Sequence, residues 1–395
     1  MQQYLAPPRQ DFALADVLAS LDPERTPTIR HGVDIVDEFN VVTNAELHFI
    51  DGQVDYSYRP PDRVTGNTVE VADVRRRATI RVRGGDSTQL ALARYSIWTE
   101  WLAPTGDWVR WYLGVFVSAR PVADDDGRVV IRTLKLADKT FRYANRFLEE
   151  PVAVADGADP VAYVIASLGT EFGETAIAIG ASEITLDRAM VFDAGTSWLA
   201  VYNALLKAAA YDDLTCDERG RPTSRPLADQ VGRGAEITYG PGQAKIMPAG
   251  NVEPLLPSLP NVAQFVARAG PSLVEEGNGM RTRTNYTTGP ASIAGRGGER
   301  VVMRIEVDAT DQDAIDAIAL TDSQRVFAGG GLRFSGQVLL NPRHSDRDII
   351  RLDKARLGLA GEWLVTSWSY PLHPIDSEQS VLMSLTAEQR VTVGA

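Results

Sequence analysis

Thr79-Ile80-Arg81-Val82-Arg83 places apolar and polar residues at alternating positions. That is the two-residue period of a strand with one face buried. Trp111-Tyr112-Leu113 continues into Val115-Phe116-Val117 in the same way. Turn-forming clusters separate such runs: Asp51-Gly52, Gly84-Gly85, Pro104-Thr105-Gly106-Asp107 and Asp124-Asp125-Asp126-Gly127. Residues 28–147 therefore read as an all-β unit, a barrel or sandwich, because closing a sheet removes its exposed edges.

Outward from this unit the pattern changes. In residues 1–27, Phe12, Leu14, Val17, Leu18 and Leu21 predict one short amphipathic helix in an arm closed by Pro23 and Pro27. Residues 148–232 read as α/β. Asp159-Pro160 is an N-cap followed by proline at the first helical position, with Gly169 as the stop. Trp198, Leu199, Tyr202, Leu205, Leu206 and Ala209 fall at helical spacing. Tyr211 to Cys216 reads as a strand, and Asp217-Glu218-Arg219-Gly220 as a hairpin turn. Residues 233–395 return to β, with strands at 261–269, 301–307, 337–340, 363–368 and 381–385. A helical insert near 310–325 opens at Thr310-Asp311-Gln312-Asp313 and shows Ile315, Ile318 and Ala319 on one face.

Composition narrows the function classes. The chain has 395 residues, 44% hydrophobic and 23% charged, which is more than one core organises. No apolar run is long enough for a membrane span, and the N-terminus does not read as a secretory signal. One cysteine, Cys216, excludes an intrachain disulfide, and four scattered histidines offer no metal spacing. A net charge of −12 disfavours general binding to nucleic acid or anionic membrane. It suits a wall that DNA must slide past, or plain solubility.

Several residues invite chemistry and have simpler explanations. Asp124 to Gly127 lacks the ligand spacing of a calcium loop. Asp212, Asp213, Asp217 and Glu218 could form a carboxylate pair, but Asp217 is explained by its turn. His344-Ser345-Asp346 are too close in sequence for a triad, and Gly295 to Gly298 is no phosphate loop. No catalytic, metal or cofactor residue is therefore assigned. Two groups remain as interface candidates. Arg75, Arg77, Arg81 and Arg83 share one side of a strand, either as a pairing stripe for a neighbouring subunit or as a solvated face. Trp98 and Trp101 belong to an aromatic hairpin with Trp108, Trp111 and Tyr112, fit for core and subunit contact or for a sugar platform.

Four local patterns carry a family resemblance. They are Leu113-Gly114-Val115-Phe116-Val117 followed by Leu134 to Lys139, and Trp198 to Ala210 followed by Tyr211, Asp217, Gly220 and Pro226. The others are Gly289-Pro290-Ala291-Ser292-Ile293 with Gly295-Arg296, and Gly361 to Trp368 with Pro371-Leu372. In order and spacing the chain resembles the baseplate hub, or tail-tip, proteins of tailed bacteriophages, especially minor tail proteins of long-tailed actinobacterial phages. The resemblance implies a mainly β fold of two tube-like β-barrels, 28–147 and 233–395, with small α/β domains. It implies a non-enzymatic homotrimer at the tail tip of the virion, made in the host cytoplasm. Its partners would be a hexameric distal tail or tail tube protein, a tail fibre or central spike protein, the tape-measure protein and DNA in transit. The chain ends just after its last strand, so a fibre or lysin is expected as a separate protein. The alternatives are a receptor- or carbohydrate-binding tail protein and a tail-associated cell-wall hydrolase.

Overall fold

The computed structural model describes residues 28–37, 42–44, 48–57, 75–83, 87–125, 130–226, 233–240, 246–254, 260–267, 280–284, 292–307, 315, 316, 319, 329–345, 348–354, 357, 359–372 and 382–390. The N-terminal arm, Gly84-Gly85 and Thr310 to Asp313 lie outside them.

The first region holds β1 (Ile29–Val36), β2 (Val42–Asn44), β3 (His48–Ser57), β4 (Arg76–Arg83), β5 (Arg94–Leu102), β6 (Trp108–Asp125) and β7 (Val130–Asp138), with a short helix α1 (Ser87–Leu92). The alternation that began the reading is realised in β4: Ala78, Ile80 and Val82 are buried, while Thr79, Arg81 and Arg83 are exposed. The turn at Pro104 to Asp107 forms as expected, with Ala103 and Asp107 hydrogen-bonded across it. Asp51-Gly52 forms no turn. It lies within β3, where the register against β4 shifts between Phe49 and Asp51. A glycine after an aspartate marks a bulge here, because β3 has β4 and a further strand to pair with on both sides.

The middle region holds α2 (Thr140–Ala144), β8 (Val152–Val154), α3 (Pro160–Phe172), β9 (Ala178–Ile179), β10 (Met190–Phe192), α4 (Trp198–Ala208), β11 (Thr215–Cys216) and β12 (Pro222–Ser224). Asp159 caps α3 through its carboxylate, which accepts from Val161 N and Ala162 N. The helix does not stop at Gly169. It runs to Phe172 and ends on the left-handed Gly173, because a glycine costs a helix interior only about 1 kcal/mol, while the C′ position needs positive φ. Ser197 caps α4, whose Trp198, Val201, Tyr202, Leu205 and Leu206 are buried against α3. Only Thr215–Cys216 of the expected 211–216 strand is a strand; Tyr211 makes an isolated bridge to Pro226.

The last region holds β13 (Ile237–Tyr239), β14 (Ile246–Pro254), β15 (Val262–Ala267), β16 (Met280–Thr284), β17 (Val302–Val307), β18 (Gly329–Leu339), β19 (Ile349–Leu352), β20 (Glu362–Leu372) and β21 (Leu382–Arg390). Gly329-Gly330-Gly331, a run whose composition suits a flexible loop, opens β18 instead. β15, β16 and β17 form a separate three-stranded sheet, which the sequence reading had merged with the rest. Ile315 and Ala319 are helical and buried.

The two β-rich regions share one sheet of 13 strands, in the order β14-β18-β21-β20-β3-β4-β7-β6-β5-β1-β2, with β19 and β13 branching from β20. The branch has a local cause. β20 pairs β19 through Glu362 to Leu364, then β3 through Ser367 to Leu372. Its register against β21 shifts between Val365 and Ser367, so one strand edge serves two partners in turn. The sheet also curls. β5 lies five strands from β20 in sheet order, yet Trp101 Nε1 donates to Tyr370 Oη at 3.4 Å and Tyr370 Oη donates to Thr99 Oγ1 at 3.3 Å. His31 of β1 meets the same ring edge-on. A single apolar core, with members from β1, β4, β6, β18 and β20 among others, fills the inside of this curl.

Candidate assembly surface and the junction behind it

Three of the four sequence patterns meet at one place. Gly114 sits where β6 shifts register against β5: Ile97 faces Gly114, while Trp98 faces Tyr112. At φ 146 it has a backbone that side chains avoid, and a Cβ there would fall 2.7 Å from the Phe116 ring. Leu113, left over at the shift, offers its carbonyl to Arg76 Nη1 at 3.4 Å. Asp138 closes the same motif: its carboxylate accepts from Arg76 N and from Thr140 N, the latter at the start of α2.

The middle region arrives through the Asp217–Gly220 hairpin. Asp217 accepts from Arg219 N and Arg221 N and pairs with the Arg221 guanidinium, which holds the turn closed. Gly220, at φ 71, lets the hairpin press on β6, since a Cβ would fall 2.5 Å from Val115 Cβ. Glu218 then joins all three regions. It accepts from Arg76 Nη2 of β4 at 3.3 Å and from Ser345 Oγ at 2.5 Å. Arg76 is 1% exposed, with its guanidinium over the Trp368 ring of β20. Next to it, Arg75 reaches Asp213 at 2.8 Å and Asp212 at 3.5 Å.

These pairings account for the carboxylates that sequence alone left open. Asp212 and Asp213 hold Arg75, Asp217 holds a turn, and Glu218 ties regions together. Ser345 donates to Glu218 and not to a histidine. His344 lies buried between Asp348 at 3.0 Å and Tyr239 Oη at 2.6 Å. Lys139 and Glu174 form a buried pair, joined by Tyr143 Oη, beneath the α2 turn. Burial and the nearby carboxylates raise the Cys216 thiol well above its ordinary pKa, which suits a structural thiol and not a nucleophile. Among the described residues no group of His, Cys, Asp and Glu could hold a metal ion, and no helix is long and apolar enough to cross a membrane.

The outward side of the first region carries the remaining candidates. Arg77, Arg81 and Arg83 share a face of β4, and Arg81 is bound bidentately by Asp51 across the strands. Asp55 stands opposite Arg77 in register. The stripe is thus partly neutralised within the chain. Arg75 is spent on the middle region, and Trp101, 2% exposed, belongs to the core. Of the expected interface set, Arg81 and Arg83 are exposed, Arg75, Arg77 and Trp98 are half-buried, and Trp101 is buried.

Around Trp98 the structure adds residues that the sequence reading missed. Arg30, Glu100 and Arg110 stand in register on β1, β5 and β6. Glu100 takes Arg30 Nε at 2.5 Å and Arg110 Nε at 2.8 Å, and Arg110 also reaches Asp34 at 3.3 Å. Burial raises the Asp34 pKa above its ordinary value; Trp98 and Arg110 oppose this and Glu100 adds to it. Arg30 lies 4.2 Å from the Trp108 ring centre and Arg110 3.9 Å from that of Trp98. The signal was present as period-two spacing, Arg30-x-Gly32-x-Asp34 against Trp108-x-Arg110-x-Tyr112. It became legible only once the strands were aligned. The arrangement can bind a protein surface through stacked aromatic–arginine pairs. It offers a sugar ring less, since an arginine already stacks on one face of each tryptophan.

The fold so built is one shared with bacteriophage tail proteins. The chain superposes on the tail protein from Neisseria meningitidis MC58 with a TM-score of 0.61 at 8% identity, covering 91% of this chain and 97% of that one. It matches the 43 kDa tail protein of prophage MuSo2 from Shewanella oneidensis at 0.58 and 11%, covering 91% and 98%. A chain of the Francisella PdpA–VgrG complex matches at 0.54 and 6%, covering 92% of this chain and 53% of that one. No protein-family model and no curated protein matches the sequence.

Proposed function

We propose that the chain is a structural hub at the distal end of a phage tail, built as a homotrimer. In this reading residues 28–147 and 233–395 form two tube-like rolls. Three copies present six such units to a hexameric distal tail or tube ring and a three-fold face to a fibre or spike. The ring's lumen passes the tape-measure protein and DNA. The observation that carries the reading is β20: a single strand pairs with strands of both regions, so the two proposed rolls are parts of one continuous sheet. Continuity of that kind suits the repeating units of a closed ring. The likeness to tail proteins over nine-tenths of the chain supports it, and the affinity with actinobacterial hubs rests on the four sequence patterns.

The interface between copies is assigned to Arg77, Arg81 and Arg83 with Trp98 and its arginine neighbours. A non-enzymatic role agrees with the engaged state of the carboxylates. The test is the mass of the purified protein under native conditions. The reading expects a multiple of three chains of 43.0 kDa; a monomer or dimer overturns it.

A further inference from the structure

The ribbon of β8 and β10 turns one side inward and leaves the other bare. Val152, Val154, Met190 and Phe192 pack on the core of the middle region. Ala153 and Val191 stand opposite each other on the outer side, and Val191 is 66% exposed. Period-two alternation puts Pro151, Ala155, Ala189 and Asp193 on that side too, and all four are exposed. Backbone hydrogen bonds carry the ribbon past both strand ends, joining Leu148 to Gly195 and Thr196, and Gly157 and Ala158 to Leu186. The structure describes residues 130–226 without a break, and nothing among the described residues covers this side. An exposed apolar strip with a charged rim marks a contact surface.

The rim says what covers it. Between Glu149 and Gly195 the only basic residue is Arg188. Glu149, Glu150, Asp156, Glu183, Asp187 and Asp193 are exposed, and among the described residues none of them forms an ion pair. Such a rim calls for a basic partner. The chain itself carries one. Arg83 of β4 and Lys135 of β7 lie on the outward side of the first region, with Lys135 opposite Thr79 in register. Both are exposed and form no ion pair among the described residues, whereas Arg81 is held by Asp51. Strand geometry sets these two cations about 14 Å apart and Asp187 from Asp193 about 20 Å apart, a difference that long arginine and lysine side chains span. We propose that the outer side of the β8–β10 ribbon seats the β4–β7 face of a second copy of this chain. The stems of Arg83 and Lys135 then cover Ala153 and Val191, and their charged tips reach Asp193 and Asp187. The contact joins two different faces, so it repeats head to tail and can close into a ring. It rests on the hub reading, which supplies the number of copies, and it names the surface that the basic face meets.

Charge exchange tests the contact through the native mass. The Asp187→Lys, Asp193→Lys variant and the Arg83→Glu, Lys135→Glu variant are each expected to fall from three chains to one. All four substitutions in one chain restore three, since the two faces are again opposite in charge. The four side chains are exposed, so each variant keeps the helical signal of the parent. A parent of one or two chains overturns the hub reading and this contact together. A three-chain parent whose paired variants also stay at three overturns the contact alone, as does a folded fourfold variant that stays single. The unaltered protein gives an independent measurement. A carbodiimide condenses a lysine amine with a neighbouring carboxylate, forming an amide as the reagent takes up the water and becomes a urea. In trimers mixed from light and nitrogen-15 chains, it is expected to join Lys135 of one copy to Asp187, Asp193 or Glu149 of another. Trimers that yield no such mixed peptide overturn the contact.

Discussion

Arg75 and Arg76 are neighbours in the chain and point to different partners, which period-two spacing alone requires. Arg76 faces inward, where Glu218, the Leu113 carbonyl and the Trp368 ring surround it. Removing one member of a buried ion pair costs about 3–5 kcal/mol, and Glu218 is partly hydrated, so Arg76→Ala is expected to cost about 3 kcal/mol in urea unfolding. Arg76→Lys recovers little of this, because an ammonium cannot reach two acceptors and stack as well. Trp101→Ala is expected to cost about 3–5 kcal/mol, since the side chain is core and not contact surface. Asp34 gives a pH signature. Its folded pKa is raised above the unfolded value, so its contribution to stability is greatest below that value and is lost as pH rises through the window between the two. Asp34→Asn removes this loss. The midpoint of the variant relative to the parent should climb as pH rises above the ordinary carboxylate range, and a flat difference would contradict the assignment.

Elements were legible where local chemistry acts alone. The cap at Asp159, the helical stripe of α4 and the Asp217–Gly220 turn follow from neighbours within a few residues, and the structure has all three. Asp159→Ala is accordingly expected to cost about 1 kcal/mol, read as a lowered midpoint of thermal unfolding by helical signal. Misreadings fell where distant partners decide. Asp51-Gly52 has turn composition but lies between two pairing strands, and Gly329 to Gly331 pairs a strand whose position no local pattern reveals. Gly169 looked like a stop because a glycine was weighed without the better one four residues on. The candidate surface divides the same way. The alternation in β4 exposed Arg81 and Arg83, whereas the Arg30–Glu100–Arg110 rung required knowing which strands lie side by side.

At the scale of the molecule, sequence separated two β regions by composition, and the structure joins them through β20 into one curled sheet. Nothing within residues 362–372 announces that the strand changes partner midway. Only the pairing of β3 with its second half reveals it, across some three hundred residues of chain. This join makes the two halves one continuous sheet, which suits each subunit of the proposed ring. The Arg77→Glu, Arg81→Glu double variant is expected to fold with a lowered unfolding midpoint, because Asp55 and Asp51 stand opposite the two positions, and to lower the native mass. An unchanged mass would remove the arginine face from the subunit contact. The central claim concerns position in the virion, and electron microscopy of tails labelled with antibody against this chain tests it most directly. The account predicts label confined to the end of the tail remote from the capsid; label along the tail or on the capsid would contradict it.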